Sequence, residues 1–127
     1  MNTPTILDGG MGQELIARTQ RTITSLWSTK VLLEEPELVE DVHDAYFLAG
    51  ADVATTNSYA IHRDRLRDYD IEDQFESLLL RACSIANKSR DKFGSGMIAG
   101  SLGPNARSYR PDLVLSIEEG IELYSEI

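Results

Sequence analysis

The chain reads as an α/β fold in which short parallel strands alternate with crossover helices. Three observations predict this. Three brief apolar runs, "TPTIL", "ADVATTNSY" and "GMIAGSLG", are each bounded by glycine or polar residues. Segments with one-sided helical periodicity lie between them. The step from Ile6 to Val53 is 47 residues and that from Val53 to Ala99 is 46, with no residue-level repeat beneath it. Strands that alternate with helices pair in parallel, because the helix carries the chain back across the sheet. The expected strands are 5–8, 51–57 and 97–101, with the helices outside.

The first strand, "TPTIL", is read as short and buried, and it runs into "DGGMGQEL", where glycines loosen the chain before a helix. In "PELVEDVHDAYFLAG" the residues Leu38, Val42, Ala45, Tyr46 and Ala49 fall at helical spacing. Pro36 suits the first turn and Gly50 the position just past the end. From Asp70 to Phe93 a second stripe comprises Phe75, Leu78, Leu79, Ala82, Ile85, Ala86 and Phe93, and Gly94 stops it. In "SIEEGIELYSEI", Ser116 and Glu119 have capping-box spacing, and Gly120 weakens the helix that follows.

The sequence stops inside an apparent helix, after three strands. Three parallel strands bury little and leave two unpaired edges. Either the chain is a small open sheet that associates with something, or it is the first part, about three βα units, of a (β/α)8 barrel, which needs roughly 250 residues. The barrel is the favoured reading.

Composition narrows the function. Of 127 residues, 42% are hydrophobic and 26% charged, which describes a globular domain. The net charge of −9 argues against a nucleic-acid or anionic-membrane partner, whose phosphates such a surface repels. The N-terminus lacks the pattern of a signal peptide, and no apolar run reaches membrane-spanning length. Cys83, the single cysteine, can form neither an internal disulfide nor a thiolate metal site alone, and the composition suits a reducing cytoplasm.

In parallel α/β folds ligands sit beyond the carboxyl ends of the strands. Those ends carry Asp8, Gly9 and Gly10; then Thr55, Thr56, Asn57 and Ser58; then Gly100, Ser101, Gly103, Pro104 and Asn105. Asp8 is placed to accept hydrogen bonds from a ligand ammonium, or else simply begins a turn. Thr56 and Ser58 either bind a carboxylate, position a loop, or end a strand. "GSLGPN" also reads as plain turn chemistry. The glycines at 9, 10 and 12 lack G-x-G-x-x-G and the Lys-Ser/Thr of a phosphate loop, which excludes that form of nucleotide binding. His43 is read as solvent-facing on its helix. His62 follows the second strand and either approaches the rim or, the favoured reading, belongs to a solvated segment, "HRDRLRDY". Cys83 is read as a small packing residue. Trp27 either covers the mouth of the site or staples the first loop to the next helix. Glu34 and Glu35 mark a helix start.

The stretches "ILDGGMGQEL", "LWSTKVLLEEPELVEDVHDAYFLAGADVATTNSY" and "IAGSLGPNARSY", in this order, resemble the N-terminal portion of the homocysteine S-methyltransferase family. "LWS", "K-V-L" and "P-E-L-V" resemble the branch using S-methylmethionine or S-adenosylmethionine more than the betaine-using branch. The resemblance implies a (β/α)8 barrel whose small-molecule partners are homocysteine and a sulfonium methyl donor. It implies that zinc, in the complete enzyme, binds the homocysteine thiolate as a Lewis acid. It places Asp8 at the homocysteine amino group, Thr56 beside the amino-acid substrate, and "GSLGP" at the same rim. The substrate-binding set is therefore Asp8, Gly9, Gly10, Thr56, Asn57, Ser58 and Ser101. The family's zinc ligands are three cysteines from later strands, and Cys83 matches none of them. A fourth-strand glutamate of the family site falls beyond residue 127. Residues 1–127 are thus expected to be a partial homocysteine-binding domain that ends before the fourth strand, holds no metal, and is inactive alone. A non-catalytic barrel remnant that binds an amino acid or a partner subunit is the alternative.

Overall fold

The computed structural model describes residues 3–22, 24, 26–105 and 107–127. Its helices are α1 (Met11–Arg18), α2 (Ser28–Glu34), α3 (Pro36–Leu48), α4 (Arg63–Arg67), α5 (Phe75–Phe93) and α6 (Ile117–Tyr124). Two strands, β1 (Val53–Thr55) and β2 (Met97–Ala99), pair in parallel with Val53 opposite Met97, Ala54 opposite Ile98 and Thr55 opposite Ala99.

The N-terminal segment lies along the other edge of β1, also in parallel. A single bridge joins Leu7 to Val53, supported by Asp8 N–H donating to the Val53 carbonyl at 3.0 Å and Asp52 N–H donating to the Ile6 carbonyl at 2.8 Å. The parallel order expected from the 46–47-residue step is therefore present. The first run, however, is neither a full strand nor buried, since Ile6 is 54% and Leu7 64% exposed. Its outer edge has no neighbour among the described residues to complete a ladder, and one-sided pairing sustains only a bridge.

Helices α3 and α5 pack on one another and carry most of the core. Val39 and Val42 on α3 share one apolar cluster with Phe75, Leu78 and Ala82 on α5, Leu15 of α1 and Leu32 of α2, and Phe47 and Ala86 are buried as well. Phe47 and Phe93 stack with ring centroids 5.4 Å apart. The stripe expected on α3 is rotated by about one residue. Val39, His43 and Phe47 are inside with Val42, Leu38 and Tyr46 are half-buried, and Ala49 is exposed. This helix is covered on two sides, by α2 and α5, so its buried arc is wider than one stripe.

The helix boundaries follow the local chemistry. Pro36 opens α3, Gly94 closes α5 in the left-handed region, and Ser116 with Glu119 forms the capping box of α6. Glu34 and Glu35 mark the junction of α2 and α3, where both carboxylates pair with Arg21 at 3.1 Å.

Three expectations are corrected. His43 is fully buried, because it lies on the α3 face that packs inward. His62 is also buried, under Tyr124, whose ring stands edge-on at 6.2 Å; the stretch after it folds into α4 around the buried Leu66. Cys83 is exposed, because it sits one position past the inward-facing Ala82.

Candidate active-site cleft

A cleft of about 790 Å³ opens at the carboxyl end of the parallel segments. Asp8, Gly9 and Gly10 form one part of its lining, Thr56 and Asn57 another, and Ser101 a third. Six of the seven expected substrate-binding residues thus meet at one rim. Ser58 lies beneath it and does not line the cleft.

Asp8 is held from the neighbouring strand. Its Oδ2 accepts from Thr55 N–H at 2.7 Å and its Oδ1 from the Thr55 hydroxyl at 2.8 Å. Both donors are neutral, so the carboxylate is fixed in place with its charge intact. No lysine or arginine nitrogen comes within 4 Å of it among the described residues. The sequence places Thr55 at the end of the second strand without pairing it with Asp8, although the 47-residue step that relates Ile6 to Val53 also relates Asp8 to Thr55.

Below the rim, two side-chain hydrogen bonds join the segments that follow β1 and β2, and a third links the two β1-side hydroxyls. Ser58 Oγ donates to the Ser101 carbonyl at 2.7 Å, and Ser101 N–H donates to Thr56 Oγ1 at 3.1 Å. With the Ser58 proton so used, the 2.8 Å contact between the two hydroxyls has Thr56 as donor and Ser58 as acceptor. Both hydroxyl protons are consumed in positioning the 101 loop. Asn57 spends one amide hydrogen on the Ser28 carbonyl at 3.1 Å, which ties the β1 end to the start of α2.

Two glycines of the cleft loops sit at close approaches. A Cβ on Gly9 would stand 2.7 Å from the Tyr46 hydroxyl oxygen, so the first loop rests directly on α3. A Cβ on Gly103 would stand 2.1 Å from the Tyr59 carbonyl oxygen, an overlap that only the missing side chain avoids. The 103 loop is thereby laid against the loop that follows β1.

Aromatic residues flank the polar floor. Trp27 is 49% and Tyr59 46% exposed, and both line the cleft. Trp27 stands at the N-cap position of α2 with φ of +47°, a conformation that costs a non-glycine residue energy, and its place in the lining fits the reading that it covers part of the mouth. Arg65, Asp68, Arg107 and Tyr109 lie farther along the lining.

The buried histidines lie close behind. Burial lowers the pKa of His43, against the opposing pull of the Asp8 and Asp44 carboxylates. Neither of its ring nitrogens has a hydrogen-bond partner. Burial also lowers the pKa of His62, helped by the Arg65 cation. The described residues do not fit a thiolate zinc centre. Cys83 is exposed on α5 and does not line the cleft, and no cluster of three or more His, Cys, Asp or Glu side chains suited to a metal occurs among them.

Comparison with known proteins places this geometry. Residues 5–127 match the family model for homocysteine S-methyltransferase. The chain is 36% identical to homocysteine S-methyltransferase YbgG of Bacillus subtilis over 94% of its own length and 43% of that protein's. It is 35% identical to homocysteine S-methyltransferase of Escherichia coli, over 89% of this chain and 41% of that one. The crystal structure of the metallated form of the homocysteine methyltransferase MmuM from Escherichia coli superposes with a TM-score of 0.81 at 34% identity, over 94% of this chain and 47% of that chain. The chain therefore spans less than half the length of these relatives.

Proposed function

The chain belongs to the homocysteine S-methyltransferase family, and on that premise we propose that residues 1–127 form the substrate-facing N-terminal part of a (β/α)8 barrel. That barrel moves a methyl group from the sulfonium sulfur of S-methylmethionine or S-adenosylmethionine to the thiol sulfur of homocysteine, giving methionine. In this reading residues 1–127 contribute the first βα units of the homocysteine-binding domain. The reading rests above all on Asp8, a carboxylate fixed by neutral donors at the lip of a cleft and left with its charge to offer. A substrate ammonium is the natural complement, since a charge-assisted hydrogen bond is about twice as strong as a neutral one.

Each residue of the set has a role in this reading. Asp8 receives the homocysteine ammonium, and Gly9 and Gly10 let the substrate approach the backbone. Thr56 and Ser58 keep the 101 loop in place, so that Asn57 and Ser101 present fixed polar groups to the amino-acid end of the substrate. Trp27 and Tyr59 face the sulfonium donor, whose positive charge is attracted to an aromatic face. Zinc belongs to the complete enzyme, and no step of the transfer is assigned to a metal on these residues. No helix among the described residues is long and apolar enough to cross a membrane. The single cysteine supports placing the reaction in a reducing cytoplasm.

The test is a ¹⁵N-resolved titration of the chain with L-homocysteine. Amide shifts are expected at Gly9, Gly10, Thr56, Asn57 and Ser101, with none in α6. Saturating homocysteine that moves none of the rim amides overturns the reading.

A further inference from the structure

Among the described residues, seven of the nine arginines have a carboxylate oxygen within 4 Å. Arg65 and Arg81 are the exceptions. Arg81 does not line the cleft, and its Nη1 reaches only the Leu32 carbonyl at 3.5 Å. Arg65 does line the cleft. Its Nη2 donates to the Pro104 carbonyl at 3.1 Å and reaches the Ser108 hydroxyl at 3.4 Å, both neutral acceptors. Its Nε–H is buried and has no acceptor.

This arrangement is unusual for a chain of net charge −9, in which carboxylates are plentiful. A buried N–H without an acceptor carries a desolvation cost that a bound ligand can relieve. The guanidinium edge formed by Nε–H and an Nη–H matches the two oxygens of a carboxylate, and such a pair is strong and directional. The other charged groups of the lining do not compete for this role. Asp68 and Arg107 face each other at 3.7 Å and compensate one another. The cleft is thus left with one uncompensated anion, Asp8, and one uncompensated cation, Arg65.

Building on the function proposed above, we propose that Arg65 anchors the α-carboxylate of an amino-acid ligand in the cleft, through its Nε–H and an Nη–H. Two sources share this chemistry, homocysteine and an amino-acid sulfonium donor such as S-methylmethionine. The contacts to Pro104 and Ser108 also make Arg65 the link between α4 and the loop after β2, so a bound carboxylate steadies that loop.

The experiment follows the Arg65 Nε–H signal of the whole chain by ¹⁵N NMR, identified by its loss in Arg65→Lys. Four ligands are titrated: L-homocysteine, S-methylmethionine, and the decarboxylated analogue of each. At least one carboxylate-bearing ligand should shift the Arg65 Nε–H and bind tenfold or more tightly than its decarboxylated analogue. Arg65→Gln should remove that difference while leaving affinity for the analogue unchanged. Whichever ligand shows the effect is the source of the carboxylate. An Arg65 Nε–H unmoved at saturation, while the Gly9 and Thr56 amides shift, overturns the proposal and leaves the site assignment standing. So does a tenfold carboxylate preference that persists in Arg65→Gln. Wild-type chain that binds neither ligand overturns both, and the wild-type titration decides the matter even where Arg65→Gln does not fold.

Discussion

Both oxygens of the Asp8 carboxylate accept hydrogen bonds from Thr55, one from its backbone N–H and one from its hydroxyl. The turn reading and the ligand reading of Asp8 are therefore not exclusive. The same contacts that fasten the N-terminal segment to β1 also aim the carboxylate at the cleft.

This pairing separates two substitutions. Asp8→Ala leaves the Thr55 N–H without its acceptor and should destabilise the chain by about 1–3 kcal/mol. Asp8→Asn retains an oxygen for Thr55 N–H, and its amide can donate to the hydroxyl, so stability should remain near wild type. Urea denaturation midpoints of the two variants check this.

Thr56→Val should be costly for a different reason. It removes the acceptor of Ser101 N–H and the donor to Ser58 together. A loss of about 1–3 kcal/mol is expected from the stranded N–H. Thr56→Ser, which keeps the hydroxyl, should behave nearly as wild type in the same denaturation experiment.

The Gly103 contact predicts a steric effect. Gly103→Ala forces a Cβ towards the Tyr59 carbonyl oxygen, and the loop must shift to admit it. A loss of about 1–3 kcal/mol, typical of overpacking, should accompany chemical-shift changes at Tyr59 and Ser101.

The buried histidines set a pH dependence. Burial first of all lowers the pKa of His43, with Asp8 and Asp44 opposing, and burial likewise lowers that of His62. Below the ordinary histidine value of about 6.5 the unfolded chain binds more protons than the folded one, so stability falls as pH drops. Above that value the penalty is absent. The loss grows until the pH has passed the lowered folded-state values. His43→Leu removes an unpartnered imidazole from the core and should flatten part of this slope, measured as denaturation midpoints between pH 7.5 and 5.

Much of the architecture was legible because its signals are local. Pro36, Gly94 and the Ser116–Glu119 pair mark helix ends by chemistry that acts within one turn. The 46–47-residue step predicted which segments lie side by side, and their polar carboxyl ends located the rim. The remainder depends on tertiary contacts. His43 reads as a polar, outward residue until α2 and α5 enclose its helix. Helix α4 is too short to show periodicity, and only the burial of Leu66 and His62 gives it a place. The role of Ser58 beneath the rim needed the hydrogen-bond partners of Ser101, which no spacing encodes.

Calorimetric titration of L-homocysteine into the wild-type chain and Asp8→Asn tests the central claim most directly. A charge-assisted hydrogen bond to an ammonium contributes about 1.5–3 kcal/mol. The substitution should therefore weaken binding by roughly tenfold to a hundredfold, at about 1.4 kcal/mol per decade, with the denaturation midpoint little changed. Unchanged affinity together with a large loss of stability would show that Asp8 serves only to tie the first loop to β1.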